Sequence, residues 1–460
     1  MIHDYKSIVS LIREGKVPSG YKETTVGIIP QEWRIIPLAD LGFFKNGLNK
    51  SKGDFGQGNE MVNLSDVFSK RRLNNKDSFN TKVNCTETEL ENYSLDKGDV
   101  LFVRSSVKPE GVGLTTLIEE DLKEKVYSGF LIRFRETSSE MDTYFKKYCF
   151  DANYFRRKLL NFSTISANTN INQQSLQKLG LLLPGIKEQK KIAEVLLIWD
   201  KAIDLKKKLI NQKKRQHKSL MQKMLTGKIR YNDGNKFSKE ELNERLRCID
   251  KREVPNGYKD TKLGIIPNDW SIKKIGEILK PKIREIDKPN KGYWRLGLRS
   301  HAKGTFHEFV DDPSKVSMDR LYLVEENDLI VNITFAWEHA IAIADNKDHG
   351  KLVSHRFPTY EFNENVYPLF YKYYVIQPYF KYLLENISPG GAGRNRVMSK
   401  KDFLKLDIIV PPYDEQQNVA QILLTSEQEI NLLNRELNAL NEQKEGLMQS
   451  LLTGKIRVKV

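Results

Sequence analysis

The chain has 460 residues, 39% of them hydrophobic and 10% aromatic, which suffices for two to four domains with cores of their own. Its formal net charge of +15 points to an anionic partner, nucleic acid before a membrane surface. Three dispersed cysteines (Cys85, Cys149 and Cys248) exclude zinc-finger spacing and a disulfide framework, and no apolar run is long enough for a membrane span, so a cytoplasmic protein is expected.

In chain order, the first residues, MIHDYKSIVSLIREGK, are amphipathic and lack a signal-peptide core; they predict a short helix over Tyr5–Lys16. Val17–Leu38 (VPSGYKETTVGIIPQEWRIIPL) is Pro/Gly-punctuated and carries an aromatic anchor, Trp33. It returns as VPNGYKDTKLGIIPNDWSIKKI at Val254–Ile275, with Pro18 matched by Pro255, Gly27 by Gly264 and Trp33 by Trp270. A body of variable sequence follows each copy. In both, a turn feeds a short apolar strand, Gly98-Asp99-Val100-Leu101-Phe102-Val103 and Asn327-Asp328-Leu329-Ile330-Val331. An aromatic helix (Tyr144–Leu160; Tyr367–Leu384), a polar loop (Ser163–Gln174; Ser388–Lys401) and a second apolar strand (Leu179–Leu183; Leu406–Val410) come next.

Pro184–Arg230 has apolar positions at helical spacing and no Pro or Gly from Lys187 to Thr226, which predicts a helix about 57 Å long. Helices of that length in soluble proteins belong to coiled coils. Pro411–Arg457 repeats it without a gap: Glu188-Gln189 recurs as Glu415-Gln416, and Leu225-Thr226-Gly227-Lys228-Ile229-Arg230 as Leu452-Thr453-Gly454-Lys455-Ile456-Arg457. The first copy has fourteen Lys/Arg against four Asp/Glu, the second four against seven, so the copies favour each other over themselves. An antiparallel intramolecular coiled coil is expected. Its seam is assigned to Ile192, Leu196, Trp199, Ile203, Leu220, Val419, Leu423, Ile430, Leu433 and Leu447, with Ser426 standing where the first copy has Trp199.

The fold class read from this pattern is α/β (α+β): two globular domains separated by the coiled coil, in a tandem duplication. The boundaries are 1–183 for the first domain, 184–230 for the first long helix, 231–253 for a linker with a helix over Lys239–Asp250, 254–410 for the second domain and 411–460 for the second long helix.

Catalytic machinery is not legible. Val410-Pro411-Pro412-Tyr413 looks like the tetrapeptide of amino-group methyltransferases, but Val stands at the polar position, and Leu183-Pro184-Gly185-Ile186 lacks the motif; both read as strand exit and helix start. Gly53–Gly58 and Gly390–Gly393 have glycines without the remainder of a nucleotide loop, and the seven histidines show no metal-ligand spacing. No catalytic or metal-binding residue is assigned. Candidates for DNA contact are loop residues of the bodies: Arg104, Ser105 and Lys108 after the first apolar strand; the amides Asn170, Asn172 and Gln173, suited to adenine; Arg295 and Arg299 around an aromatic strand; and Arg394, Arg396 and Lys400 in a Gly-rich loop.

Together these residues resemble the specificity subunits of type I restriction–modification enzymes. The resemblance rests on Leu183-Pro184 with Glu188-Gln189-Lys190-Lys191-Ile192-Ala193, on Leu225-Thr226-Gly227-Lys228, on the two Gly-Ile-Ile-Pro-x-x-Trp segments and on Gly98-Asp99-Val100-Leu101, and it spans the chain. It implies two target recognition domains, each reading half of a bipartite double-stranded DNA sequence, and a coiled-coil spacer setting the gap. It further implies a chain with no catalytic activity and no cofactor of its own. Two modification subunits using S-adenosylmethionine, and restriction subunits using ATP with Mg²⁺, would supply the chemistry. A specificity subunit of another tandem-domain methyltransferase–nuclease system, and a coiled-coil scaffold without DNA, are the alternatives.

Overall fold

A computed structural model describes residues 2–165, 168–390 and 396–459, and of residues 2–7, 165 and 235 the backbone only. The chain forms two compact units: Met1–Lys207 with Arg435–Val460, and Lys208–Asn434. Each unit holds one body and parts of both long helices, Ile186–Met224 and Tyr413–Leu452. The short helices lie at Ile2–Arg13 and Lys239–Asp250. The second starts at a capping box, in which Ser238 Oγ accepts the Glu241 N–H and the Glu241 carboxylate accepts the Ser238 N–H.

In unit 1 a five-stranded sheet runs in the order Gly42–Asn46, Leu131–Glu136, Val100–Val103, Thr115–Ile118, Arg72–Leu73, antiparallel except at the last pair. In unit 2 the corresponding sheet is Leu279–Pro281, Thr359–Phe362, Leu329–Val331, Ile341–Ile343, all antiparallel. A second five-stranded sheet, ending in the hairpin Tyr293–Leu298 and Thr305–Val310, stands where unit 1 has a three-stranded sheet of Val126–Tyr127, Phe55–Val62 and Lys82–Val83. The largely antiparallel pairing makes the bodies α+β. The apolar strand before each long helix is fixed by the strand after the Trp anchor: Gly180–Leu183 on Arg34–Pro37, and Asp407–Val410 on Ser271–Lys274. Each aromatic helix is split in two, Lys146–Cys149 and Asn153–Asn161 in one body, Pro368–Tyr374 and Pro378–Asn386 in the other. Pro378 explains the second break, because a proline starts a helix and cannot continue one.

The repeated motifs meet in one seat per unit. In unit 1 the buried Trp33 donates its indole N–H to Glu188 Oε2 (3.0 Å), in the first turn of the first long helix. Arg457 closes on the same carboxylate through Nε (2.5 Å) and Nη2 (2.9 Å) and also reaches Glu32 (2.6 Å). Gly454, at φ +68°, lets the backbone lie on Pro30 and Trp33; a Cβ there would stand 2.4 Å from Pro30 Cδ. Tyr21 donates to the Gly454 carbonyl (3.0 Å). In unit 2 the same parts recur: Trp270 to Glu415 (2.8 Å), Arg230 to Glu415 (2.9 Å) and to Asp269 (2.6 Å), Gly227 against Pro267, and Tyr258 to the Gly227 carbonyl (2.8 Å). The seat of each copy is therefore filled by the end of the other copy's helix. Gln189 and Gln416 complete it. Their side-chain NH₂ groups donate to the Pro184 and Pro411 carbonyls (2.9 Å each), and their oxygens accept the N–H of Asp142 (2.8 Å) and Tyr367 (2.9 Å).

Farther along the helices the ladder is antiparallel in each unit. Asp200 pairs with Lys444 and Lys206 with Glu436 (2.8 Å) in unit 1, and Lys213 pairs with Glu429 (2.6 Å) in unit 2. Ile203 and Ile430 are buried, while Trp199, Leu220, Leu433 and Leu447 are half-buried. Ile192 and Leu196, and likewise Val419 and Leu423, belong to the body cores. The first turns of each helix thus serve as core elements of a body, because the Glu-Gln pair pins them there.

Candidate nucleic-acid interface

The turn before each central strand explains its own residues. Gly98 (φ +90°) and Asn327 (φ +69°) adopt the left-handed conformation that these residue types tolerate best. The following carboxylate folds back: Asp99 accepts the Asp96 N–H (2.8 Å) and two bonds from Arg135 (2.8 and 2.6 Å), while Asp328 accepts the Glu325 N–H (2.9 Å) and Arg284 (2.6 Å). Burial raises the Asp328 pKa, and the Glu325 N–H and Arg284 oppose it. These acids hold the turn.

Beyond the strand, each body stitches two loops together in the same way. In body 1 the Arg104 carbonyl accepts the Ile171 N–H (3.0 Å), and Ser105–Ser106 pairs with Thr169–Asn170, which pairs with Thr164–Ile165. In body 2 the Ile333 carbonyl accepts the Met398 N–H (2.8 Å). Two separate groups of sequence candidates, Arg104/Ser105/Lys108 and Asn170/Asn172/Gln173, thereby become one surface. Arg104 is half-buried, its guanidinium donating to Gly129 O (3.3 Å), and Lys108 is exposed. Asn170 donates to Asn168 O (2.9 Å). Two amides are engaged by the fold itself. Asn172 caps the helix Gln173–Gln177 by accepting the Ser175 N–H (2.8 Å). Gln173, with its oxygen turned to the Asn46 N–H (2.9 Å), donates to Phe44 O (3.0 Å).

In body 2 Arg295 lies on the exposed hairpin paired with Glu308 (2.6 Å), beside Trp294 and Phe309, whose ring centroids are 5.1 Å apart. Arg299 covers the Phe306 ring (5.4 Å) and donates to Thr305 O. The next residues join the post-strand loop: Ser300 Oγ donates to Glu338 (2.5 Å), and the N–H groups of His301 and Ala302 donate to the Glu338 and His339 carbonyls (2.7 and 2.8 Å). Arg396 caps the neighbouring Trp337 ring at 5.4 Å. Arg299 and Arg396 therefore flank one loop cluster. Lys400, exposed, opens the helix Lys400–Leu404 and borders a small hollow with Lys282 and His355. Arg394 lies outside the described residues.

Sequence reasoning passed over Lys147-Tyr148 and Lys372-Tyr373. In unit 1 Tyr148 Oη donates to Asp200 (2.7 Å) and Lys147 pairs with it (2.5 Å); in unit 2 Tyr373 Oη donates to Glu427 (2.8 Å) and Lys372 stands 3.6 Å away. Burial alone would raise the Asp200 pKa, but Lys147, Lys444 and Tyr148 outweigh it and hold the carboxyl at about 2. The signal was present in the repeat, since Asp200 and Glu427 occupy the same register of the two long helices. It was hidden because the bodies differ in length.

Among the described residues no group of three or more His, Cys, Asp or Glu could hold a metal ion, and no helix is long and apolar enough to cross a membrane. His307 is taken by Asp348 (2.7 Å). Val410 ends a strand and Tyr413 starts a helix, as strand exit and helix start require.

The family model described as type I restriction modification DNA specificity domain matches twice, over residues 30–215 and 267–442. The chain belongs to this family. Each match runs from the lead-in to its Trp anchor into the following long helix. A Methanocaldococcus jannaschii protein provisionally named type I restriction enzyme MjaX specificity subunit is 24% identical over 449 residues, 95% of this chain and 97% of that one. The type I restriction enzyme EcoKI specificity subunit of Escherichia coli K12 is 29% identical over 150 residues, 32% of each chain. A chain in a solved structure addressing complex assembly and conformational transition of the type I R-M system has a TM-score of 0.54 at 12% identity, over 93% of this chain and 99% of that one. The specificity domain is thus present twice, and each copy carries its own stitched loops.

Proposed function

We propose that this chain is the DNA-reading subunit of a type I restriction–modification complex, in which body 1 and body 2 each read one half of a bipartite duplex target. The observation that carries this reading is the pairing of near-identical seats with unlike loops. Trp, Glu, Gln, Gly and Arg are reused residue for residue, while the loops stitched after each central strand share almost no side chains. A fixed mount with exchangeable tips suits recognition of two different short sequences. Among the sequence candidates, Arg104, Ser105, Lys108 and Asn170 in body 1, and Arg299 and Arg396 in body 2, sit on the shared loop surfaces and are assigned to DNA contact.

The chain itself is read as non-catalytic and cytoplasmic. Two modification subunits using S-adenosylmethionine would methylate adenine in the half-sites, and restriction subunits using ATP with Mg²⁺ would cleave. Family membership supports such an assembly. The test is adenine-methylation mapping in cells expressing the chain with its modification partner. Methylation at two short motifs a fixed distance apart is expected. A single continuous motif would leave only one body reading DNA, and an intact complex with no methylation above background would overturn the proposal.

A further inference from the structure

Beside the stitched loops of body 1 lies a hollow of about 510 Å³. Phe68, Val107 and Phe130 stand around it, 48%, 82% and 57% exposed, with Leu64 and Leu114 behind them. Three large apolar side chains gathered on one opening are unusual on a chain with 29% charged residues. They are held in place. The Phe130 carbonyl accepts the Arg104 N–H (2.9 Å), and Gly111 lies so close to Ser106 that a Cβ would stand 2.3 Å from its Oγ. The rim carries Lys108, which forms no ion pair among the described residues, and Glu110, whose carbonyl accepts from Arg156 (2.9 Å). Body 2 has no such arrangement at the matching positions. Counting from Asp99 and Asp328, Val107 corresponds to the fully buried Ala336, and Lys108 to Trp337, which Arg396 covers.

An apolar group beside negative charge suits the walls at Val107 and Phe130 and the amine of Lys108. Duplex DNA offers the two together at one place in its major groove, the thymine 5-methyl group, with phosphates flanking it. We propose that this hollow reads thymine by its 5-methyl group in one half-site, with Val107 and Phe130 as the apolar contacts and Lys108 on a neighbouring phosphate. The inference rests on the reading of body 1 as a DNA-recognition body.

The test uses the complete chain assembled with its modification partner on duplexes carrying the mapped bipartite target, with each thymine replaced singly by deoxyuridine. Loss of one buried methyl should raise Kd about three- to fivefold at one or more thymines of one half-site. Val107→Ala should bring the thymine/deoxyuridine ratio at those positions towards one. Because Val107 is 82% exposed, this variant should keep its melting temperature. Lys108→Gln should weaken thymine and deoxyuridine duplexes equally and flatten the salt dependence by about one phosphate contact. Equal binding of all deoxyuridine duplexes, or full discrimination retained in Val107→Ala, would overturn the inference while leaving two-site binding intact. Failure to bind any bipartite duplex would instead overturn the reading beneath it.

Discussion

Unit 1 and unit 2 use one design for holding and two for reading. Both seats place a buried indole N–H and an arginine on one helix-start carboxylate, at distances agreeing within 0.4 Å for the Arg Nε bonds of 2.5 and 2.9 Å. The segments just before the central strands show the opposite behaviour. Residues 47–99 supply two strands, Phe55–Val62 and Lys82–Val83, of a three-stranded sheet, whereas residues 282–328 build most of a five-stranded one. A seat with this many directional bonds tolerates few substitutions, because removing one partner leaves another buried and unmatched. A loop facing solvent has no such constraint.

Three tests sharpen the comparison, taken from the largest effect to the smallest. Glu188→Ala and Glu415→Ala each strand a buried indole N–H and an arginine, and each should destabilise its own unit by about 3 kcal/mol. Urea unfolding followed with one probe per unit checks this. Equal losses in both units from one substitution would mean that the seats are not independent. Gly227→Ala and Gly454→Ala combine a left-handed backbone with a Cβ 2.4 Å from a proline ring carbon, and each should cost about 2 kcal/mol. The two values should agree, since the seats match; a difference above about 1 kcal/mol would break the equivalence.

The third test separates the units by pH. Asp200 has a folded pKa of about 2 against 3.8 for the free carboxyl, so its stabilisation is present above pH 3.8 and is lost as pH falls towards 2. With solvent screening allowed for, it amounts to about 1 kcal/mol. Asp200→Asn should lower the stability of unit 1 by that amount at neutral pH, and the difference from the parent chain should vanish near pH 2. A difference independent of pH would assign the effect to packing.

Much of this architecture was legible because it is written twice. The length and register of the long helices, the antiparallel pairing of a basic with an acidic copy, and the strand–turn logic around Asp99 and Asp328 follow from repeated spacing and from charge. Repetition is less informative in one respect. The apolar stripe at Ile192 and Leu196 reads as coiled-coil seam; it lies in a core shared by body 1 and by Met448, Leu451 and Leu452 of the other long helix, since periodicity reports which face is buried and not everything that buries it. The loop candidates were legible only as residue types. Nothing local distinguishes Asn172, which caps a helix, from Asn170, which lies on the exposed loop surface; the difference is set by which carbonyl or N–H the fold brings near. The hollow at Phe68, Val107 and Phe130 was missed for the same reason, since its walls come from three distant segments.

The crossed seats also impose an order on synthesis. Unit 2 lies wholly within residues 208–434, so all of it is synthesised before the second part of unit 1. Unit 1 must wait. Its core includes the buried Met448, Leu451 and Leu452, and the Glu188 carboxylate meets Arg457 only after all of unit 2 has been synthesised. A nascent body 1 therefore carries an open apolar face and an unmatched acid for most of the time the ribosome needs to add the next 230 or so residues, the interval in which a holdase chaperone has most to bind.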